Sequence, residues 1–513
     1  MKKYLPLNAA TLPVLGKRVD IPRYCRAELT AGVVHLGVGN FHRAHQAMYF
    51  DRLAELGVKD WGVTGIGLRS RAVRDALAPQ DNLFLVVSRD SGAPQARVVG
   101  SLLDCLYAPD QPSLALAALS SPRTRLVTLT ITGNGYPHDG GGSQLEPREQ
   151  HDLEHPGSPT TTFGYLAEAL DKRRLSGAGG MTVLSCDNLP DSGATTKAAT
   201  LAYARRRGPE LVRWIEDQVR FPNAMVDRIT PATTREERRF VRDRFHVADR
   251  WPVVTESFSQ WVVEDSFTDR RPPLDEVGVQ FVSDVSPYKL VKTRLLNGGH
   301  CALGYLGVLS GYASSSEAMQ DHLIRSVLER LLRDEVAPLL SCLPSIELPE
   351  YCGTILERFS NPHIADPLAR LSGRGSTKMP AYLLPSLHEA RRRGRPHAVL
   401  TLVVAAWMRY LRGSTPDGQS FVIQDAHATH LQELALEGGS NPRPLLSRTD
   451  LFGDLGEDSF FVQAVEAVLV RLDRLGMRAA LSSCLPRGNR AALLVPNAMN
   501  GSRELEGNYL AAS

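Results

Sequence analysis

Short apolar runs rich in β-branched residues alternate with segments of helical periodicity in the first half of the chain. The first run, 33–36, precedes a glycine turn, and apolar positions then recur at helical spacing until Gly57. Further strands are predicted at 62–67, 83–88, 126–132, 181–185 and 252–255. The repeated order of strand, helix and strand predicts an α/β domain over residues 1–285, with a mainly parallel sheet covered on both faces.

The second half of the chain carries longer helical patterns and few strand signals. Helical spacing covers residues 317–338, 381–393, 398–412 and 460–475. We therefore predict a mostly α-helical domain over residues 286–485. Residues 486–513 lack periodicity and are predicted to form a loose tail.

The composition is typical of a soluble protein with two domains. A chain of 513 residues exceeds one ordinary core, and its net charge of +3 gives no reason to expect a nucleic-acid partner. The seven cysteines lack paired CxxC spacing, which indicates a reducing compartment and offers no zinc site. Because no signal-peptide pattern or membrane-length apolar stretch is present, we expect a cytoplasmic protein.

A glycine-rich turn follows the first predicted strand. It reads Gly37-Val-Gly39-Asn-Phe-His42 and precedes a predicted helix. Glycines let the backbone turn tightly and let a pyrophosphate approach the free N–H groups of a helix start. His42 stands where the usual dinucleotide motif has its third glycine, so the match is partial. A simple glycine turn remains the alternative.

The stretch Lys292-Thr-Arg-Leu-Leu-Asn297-Gly-Gly-His300 is a candidate active-site segment. In an α-helix, Asn297 would lie about 140° and His300 about 80° around the axis from Lys292, so all three could share one face. The adjacent glycines cost a helix interior roughly 1 kcal/mol each, which indicates that something approaches the backbone there. An exposed lysine and a structural histidine are the alternatives.

Several motifs in unbroken order, over about residues 28 to 480, resemble the polyol-specific long-chain dehydrogenases, also called the mannitol dehydrogenase family. The Lys292 stretch is one of them. The others are Gly37-Val-Gly-Asn-Phe-His-Arg-Ala-His-Gln46, Ser185-Cys-Asp-Asn-Leu-Pro190, Phe221-Pro-Asn-Ala-Met-Val-Asp-Arg-Ile229, Gln260-Trp-Val-Val-Glu-Asp265 and Arg358-Phe-Ser-Asn-Pro362.

The resemblance implies a Rossmann-type N-terminal domain, a helical C-terminal domain and a cleft between them. It also implies metal-independent interconversion of a secondary alcohol and a ketone with a nicotinamide cofactor. Lys292 would be the general base, Asn188 and Asn297 would donate hydrogen bonds to the reacting oxygen, and His300 would orient the hydroxyl. Asp227, Arg370 and Lys378 would hold the remaining polyol hydroxyls. Gly37, Gly39, Asn40 and Phe41 would hold the cofactor.

These roles agree with elementary physical chemistry. A lysine with an ordinary pKa near 10.4 becomes a usable base when burial or nearby positive charge lowers that pKa. Fixed amide donors stabilise a developing oxyanion, and removing one typically costs about 3 kcal/mol. His42 and His45 are expected to pack beside the glycine turn rather than to bind a metal.

The sequence departs from the family pattern at several positions. Arg71 and Ala72 stand where NAD-preferring relatives carry an acidic pair, and an arginine would attract the 2′-phosphate of NADP. We therefore predict weakened NAD selectivity, with either NAD or NADP as cofactor. Gly133 and Lys289 replace glutamates of relatives, and Lys289 should lower the pKa of Lys292 by like-charge repulsion, which shifts the pH optimum of oxidation toward acid. Arg374 replaces an aspartate before Lys378.

The substrate remains open between related carbohydrates. Oxidation of a polyol such as D-mannitol to a 2-ketose such as D-fructose is the leading hypothesis, with pentitols as close alternatives. Fructuronate-type hexuronate reductases share the glycine turn and the Lys-Asn-His stretch, and Arg370 with Lys378 could hold a carboxylate. A non-catalytic dinucleotide-binding sensor is a third hypothesis. The family resemblance also suggests a monomer without membrane or nucleic-acid partners.

Overall fold

The computed structural model describes residues 4–90, 92–137, 146–343, 345–364 and 366–486. Contacts between Cα atoms divide the chain into two compact units. The first contains the chain up to Thr293 together with residues 341–347 and 361–366, and the second contains 294–340, 348–360 and the residues from Pro367 onward. Apart from Pro486, the tail expected at 486–513 lies outside the described residues.

All the described strands belong to the first unit. Their bounds are β1 Leu5–Pro6, β2 Ala31–Leu36, β3 Gly62–Gly67, β4 Phe84–Ser88, β5 Gln95–Val99, β6 Leu102–Tyr107, β7 Leu126–Leu129, β8 Thr182–Ser185, β9 Ala224–Asp227, β10 Val247–Ala248, β11 Val253–Thr255, β12 Gln260–Glu264 and β13 Gln280–Val282.

The central sheet has five strands in the order β6-β3-β2-β7-β8, and every pairing in it is parallel. Two three-stranded sheets, β11-β4-β5 and β13-β12-β9, each combine one parallel and one antiparallel pairing, and β1 pairs with β10 in parallel. The predicted α/β class with a mainly parallel sheet is therefore confirmed. All six predicted strands are present, with ends shifted by a few residues.

Both faces of the central sheet are buried. Val33 and Leu126 belong to one apolar cluster, whereas their chain neighbours Val34 and Val127 belong to another. Successive side chains of a strand point to opposite faces, so the two clusters lie on opposite sides of the sheet. The first is completed by the helix that contains Met48 and Phe50, and the second by the helix that contains Phe163 and Leu166.

Helices of the first unit connect these strands. Their bounds are α1 Leu12–Leu15, α2 Asn40–Ala44, α3 Gln46–Glu55, α4 Ala72–Leu77, α5 Pro112–Ser120, α6 Pro147–Glu154, α7 Thr162–Ser176, α8 Ser192–Arg207, α9 Pro209–Gln218, α10 Arg235–Phe245 and α11 Ser286–Val291. Short 3₁₀ turns lie at Arg26–Glu28, Ala78–Gln80, Gly133–Gly135 and Leu274–Val277.

The described part of the second unit is helical, as the sequence predicted. Its α-helices are α12 Gly298–Leu309, α13 Ser315–Gln320, α14 His322–Arg330, α15 Leu348–Phe359, α16 Leu368–Ser372, α17 Gly375–Lys378, α18 Leu384–Arg392, α19 Ala398–Tyr410, α20 Ala428–Gly438, α21 Arg443–Leu446, α22 Thr449–Phe452 and α23 Ser459–Ser483. A 3₁₀ turn covers Ala337–Leu339, and π-helical turns cover Leu331–Val336, Met379–Leu383 and, at the junction of the units, Lys292–Asn297.

The prediction of one continuous helix over 317–338 is wrong in detail, because the helix is interrupted at Asp321. Asp321 has extended backbone angles, and its carboxylate accepts a hydrogen bond from the Leu323 N–H at 2.8 Å. This side chain therefore ends one helix and caps the next. Among the described residues, no helix is long and apolar enough to cross a membrane.

Candidate active site

The Lys292 segment is helical but not α-helical throughout. α11 ends at Val291, Lys292–Asn297 form a π-helical turn, and α12 starts at Gly298. A π-helix closes i→i+5 hydrogen bonds, so its angular step differs from 100° per residue. The angle of about 140° predicted for Asn297 from α-helical geometry therefore does not apply. Single π-turns are rare and occur often at functional sites.

Lys292 is held by two residues of the first unit. Its side chain is buried, with 9% of the residue's surface exposed. The Nζ atom donates a hydrogen bond to Asn188 Oδ1 at 3.1 Å and another to the Val226 carbonyl at 2.8 Å. Asn188 follows β8 and Val226 lies in β9, so the ends of two strands fix the position of the amine.

The turn that carries Asn188 is itself fixed by the preceding residue. The carboxylate of Asp187 accepts hydrogen bonds from the backbone N–H groups of Ile131 and Thr132, at 3.1 and 2.8 Å, and its carbonyl accepts from the Leu189 N–H at 2.9 Å. The sequence reasoning missed Asp187. Its role depends on a segment more than fifty residues earlier, and the local pattern of the turn gives no signal for such a contact.

A cavity of about 330 Å³ lies at the carboxyl edge of the central sheet. Its walls come from the segments that follow β2, β3 and β7, together with the start of α7. Open α/β sheets place ligands at this edge. The residues of those three segments that line the cavity include Gly37, Val38, Gly39, Gly67, Leu68, Arg69, Ser70, Thr130, Ile131, Thr132 and Tyr136.

The two glycines of the turn have different roles. Gly37 has φ +102°, and a Cβ on it would lie 2.3 Å from the Thr130 carbonyl oxygen, so only glycine fits. A Cβ on Gly39 would meet no atom closer than 3.9 Å, and this residue borders the cavity. A backbone that turns sharply and then faces open space suits the diphosphate of a dinucleotide, so these residues fit the cofactor that the sequence implies.

Two other residues expected at the cofactor are engaged within the protein. Asn40 Nδ2 donates to the Pro231 carbonyl at 3.0 Å, and the Phe41 ring stacks on His45 with centroids 4.9 Å apart. Neither residue lines the cavity. The helix after the turn is also interrupted, since His45 separates α2 from α3.

Buried histidines lie against the glycine turn. The rings of His35 and His42 stack with centroids 3.5 Å apart, and His35 Nε2 lies 3.1 Å from the Gly37 carbonyl oxygen. Burial lowers the pKa of His35 and of His45 to about 3, so both rings are neutral. Within the described ranges, no group of three or more histidine, cysteine or acidic residues is arranged to hold a metal ion.

Arg71 lies just after β3 and is 59% exposed. Its guanidinium pairs with Asp110 and, at 3.5 Å, with Asp75. Arg71 does not line the cavity, whereas Arg69 and Ser70 of the same segment do.

Lys289 lies one helical turn before Lys292. Its Nζ donates to the Pro190 carbonyl at 2.8 Å and lies 3.4 Å from Ser192 Oγ. Burial lowers the pKa of Lys289, the charges of Asp191 and Glu264 act to raise it, and the positive charge of Lys292 lowers it. The effect of Lys289 on the pKa of Lys292 stays a prediction. Gly133 has open space where a side chain would point.

In the second unit, Phe359 explains the glycine that directly precedes His300. A Cβ on Gly299 would lie 3.2 Å from Phe359 Cε2, and the Phe359 ring stacks on His300 with centroids 4.3 Å apart. The close approach inferred from the sequence is thus made by a side chain of the protein. Asn297 Nδ2 is buried and has no hydrogen-bond partner among the described residues.

Two of the expected substrate-binding residues lie together in the second unit. Lys378 Nζ donates to the carbonyls of Arg370 and Leu371, each at 3.0 Å. Arg370 is exposed in α16. In the first unit, Asp227 ends β9 and is buried, with 5% of its surface exposed.

Comparison with known proteins extends over most of the chain. A family model described as the mannitol dehydrogenase Rossmann domain matches residues 31–276, and the mannitol dehydrogenase C-terminal domain matches residues 284–473. Mannitol 2-dehydrogenase of Aspergillus fumigatus is 40% identical over 494 residues, which covers 93% of this chain and 98% of that protein.

Two solved structures are similar over almost their whole length. The ternary complex of Pseudomonas fluorescens mannitol 2-dehydrogenase with NAD and D-mannitol is 42% identical, with a TM-score of 0.81 and coverage of 93% of this chain and 99% of that one. A D-sorbitol dehydrogenase in substrate-free form is 34% identical, with a TM-score of 0.87 and coverage of 93% and 100%.

The fold, the held lysine and these matches define the class of protein as a polyol dehydrogenase with a Rossmann-type first domain. The chain belongs to the mannitol dehydrogenase family.

Proposed function

We propose that this protein oxidises a polyol such as D-mannitol to a 2-ketose such as D-fructose, with NAD or NADP as hydride acceptor and Lys292 as general base. The observation that carries the proposal is the buried Lys292 amine held by Asn188 and the Val226 carbonyl. The similarity to enzymes named mannitol 2-dehydrogenase supports the choice of substrate.

The base acts on the hydroxyl proton of the substrate. A neutral Lys292 amine can donate to both of its acceptors and still has a lone pair that takes this proton. A bound nicotinamide cofactor would supply hydride acceptance from the carbon that bears this hydroxyl, so that the alcohol would give a ketone and leave its proton on Lys292. Burial of a lysine favours its neutral form, which is the form that acts as a base.

Asn188 and Asn297 stabilise the negative charge that develops on the reacting oxygen. Because Asn188 Oδ1 accepts from Lys292, its Nδ2 atom is the group that can donate to substrate. Asn297 Nδ2 is a buried donor without a hydrogen-bond partner among the described residues, so a substrate oxygen would satisfy it. His300 is proposed to orient the hydroxyl, and its ring position is fixed by stacking on Phe359.

The remaining hydroxyl groups of the polyol are assigned to Asp227, Arg370 and Lys378. Asp227 is an acceptor at the end of β9, and Lys378 is fixed against the backbone of Arg370. Two cations on one short segment could also hold a carboxylate, which is the specific reason to retain a hexuronate reductase as the second candidate.

For the cofactor, we propose that the cavity beside Gly37 and Gly39 takes the dinucleotide, and that NAD selectivity is weak. Arg71 replaces a carboxylate that would bind the ribose of NAD and repel the phosphate of NADP. Its exposed pairs with Asp110 and Asp75 are each worth at most about 1 kcal/mol, so a phosphate could displace them.

We further propose that the enzyme acts in the cytoplasm as a monomer and without a metal. Lysine and two amides supply the charge stabilisation that a zinc dehydrogenase obtains from a Lewis acid. Dialysis against a chelator should then leave the activity unchanged, and sedimentation should give the mass of one chain.

The test is a spectrophotometric screen of polyols, 2-ketoses and hexuronates, each with NAD and with NADP. The proposal expects oxidation of D-mannitol or a related polyol, and reduction of the matching 2-ketose. Reduction of fructuronate without any activity on fructose would replace it by the hexuronate reductase. Dinucleotide binding without turnover of any of these compounds would favour a sensor.

A further inference from the structure

The cavity wall that follows β7 has an unfavourable backbone conformation. Thr132 has φ +64° and ψ 161°, a region that β-branched residues rarely adopt. Thr130, Ile131, Thr132 and Tyr136 all line the cavity. A wall of this kind persists only if other groups hold it in place.

Asp187 supplies that hold. Its buried carboxylate accepts hydrogen bonds from the Thr132 N–H at 2.8 Å, the Ile131 N–H at 3.1 Å and the Tyr136 hydroxyl at 2.9 Å. Two of these donors are the backbone N–H groups that flank Ile131, since the Thr132 N–H belongs to the peptide that follows it. The carboxylate therefore fixes the conformation of the backbone as well as its position.

The same residue fixes the turn that carries Asn188. The Asp187 carbonyl accepts from the Leu189 N–H at 2.9 Å, which closes the turn around Asn188. Asn188 in turn accepts the hydrogen bond from Lys292. One residue thus connects the wall of the cavity with the group that holds the lysine.

We propose that Asp187 is a positioning residue that fixes the cavity wall and the Asn188 turn relative to each other. A dinucleotide in the cavity and the Lys292 amine are then correctly placed at the same time. The proposal rests on the proposed functions of Lys292, Asn188 and the cavity. Asp187 acts through these groups, since its carboxylate is occupied by the donors of the wall.

The test compares Asp187→Asn with a matched control, Asp249→Asn. Asp249 also accepts from two backbone N–H groups, those of Leu85 and Trp251, and from one side chain, that of Gln80, and it does not line the cavity. Both changes replace one carboxylate oxygen by an NH₂ group and should lower the melting temperature.

Only Asp187→Asn should also impair the reaction. A charged hydrogen bond lost at such a site corresponds to an effect of about 10-fold, which we expect as a rise in the dinucleotide Kd and as a fall in kcat. Asp249→Asn should keep both within about twofold, because Asp249 does not line the cavity and effects at separate sites are usually independent. Equal kinetics for the two variants at equal loss of melting temperature would overturn the proposal.

Two further variants keep the test decisive if Asp187→Asn fails to fold. Tyr136→Phe removes one donor to Asp187, and it should raise the dinucleotide Kd and lower kcat in the same direction by a smaller factor. In the Asp187→Asn or Tyr136→Phe background, Thr132→Gly removes the strain at φ +64° and should recover about threefold in kcat/KM. Parent-like kinetics in Tyr136→Phe, or no recovery with Thr132→Gly, would contradict the role of the strained turn.

These outcomes are distinct from failure of the proposed function itself. If Lys292→Ala retained full polyol oxidation, the assignment of the base would fail whatever Asp187 does. If Lys292→Ala were inactive while Asp187→Asn behaved like Asp249→Asn, the proposed function would stand and only the positioning role would be lost.

Discussion

The Lys292 amine donates a hydrogen bond of 3.1 Å to Asn188, a residue 104 positions earlier in the chain. This contact joins the start of a π-helical turn to the carboxyl end of a strand of the central sheet. An unpaired buried lysine is costly, so the amide of Asn188 and the Val226 carbonyl allow this amine to be buried.

Gly37→Ala should weaken dinucleotide binding and destabilise the fold. The new Cβ would lie 2.3 Å from the Thr130 carbonyl oxygen at a residue with φ +102°. Gly57→Ala is the matched control, since Gly57 has φ +87° with no atom within 4 Å of the new Cβ. In the control, the free energy of unfolding should fall only by the cost of placing alanine at a positive φ, about 1–2 kcal/mol. In Gly37→Ala it should fall clearly more. Equal losses in urea unfolding would show that the close approach is unimportant.

Arg71→Glu should shift cofactor preference toward NAD. A carboxylate would repel the 2′-phosphate of NADP, so the ratio of kcat/KM for NAD to that for NADP should rise about 10-fold or more. Arg74→Glu in the same segment is the control, because Arg74 pairs with Asp75 and does not pair with Asp110. A parent enzyme with a strong NAD preference would contradict the role given to Arg71.

Lys289→Glu should move the pH profile of polyol oxidation toward alkaline pH. We expect the positive charge of Lys289 to lower the pKa of Lys292 by repulsion. Because the base must be neutral, the parent should then reach full activity at lower pH. A negative charge there should raise the pKa of Lys292. Lys289→Met, which removes the charge without reversing it, should give an intermediate profile. Coinciding profiles for the parent and Lys289→Glu would refute the electrostatic role.

The enzyme should lose stability as the pH falls below about 6.5. Burial lowers the pKa of His35 and His45 from 6.5 to about 3, so between these values the unfolded chain binds protons that the folded protein does not. Stability is then fully present above 6.5 and is lost toward pH 3, by about 1.4 kcal/mol per pH unit for each histidine.

His35→Gln should reduce by one the number of protons that the chain takes up on unfolding at acidic pH. Its melting temperature should therefore fall less steeply between neutral and mildly acidic pH. His430→Gln is the control, because the His430 side chain is exposed on α20. A parent-like slope in His35→Gln would argue against a neutral His35 in the folded protein.

The fold could be predicted from sequence where patterns are strong. Apolar runs such as 126–132 predicted the buried strands, and the glycine turn predicted a ligand-binding cavity beside it. β6 was missed because it is an edge strand in which the exposed Asp104 interrupts the apolar run. The smaller sheets were missed in part, because short strands such as β13 carry too little pattern.

The residues of the site could be predicted only where residue types and family motifs are informative. Lys292, Asn188 and their neighbours were named from the sequence, but the π-helical turn was not, because it has no distinctive composition. Asp187 was missed for another reason. A carboxylate that accepts from Thr132 is recognisable only when the fold brings residues 55 positions apart together.

Lys292→Met tests most directly whether Lys292 takes the proton of the substrate hydroxyl. Methionine retains the length of the buried side chain and removes the base. With the polyol and cofactor identified by the screen, kcat for oxidation at neutral pH should fall by about 10²–10⁴, while the dinucleotide Kd changes little. Lys59→Met, which removes a lysine on the surface, should match the parent. A kcat in Lys292→Met within about twofold of the parent would contradict the account, since general-base catalysis contributes far more than that.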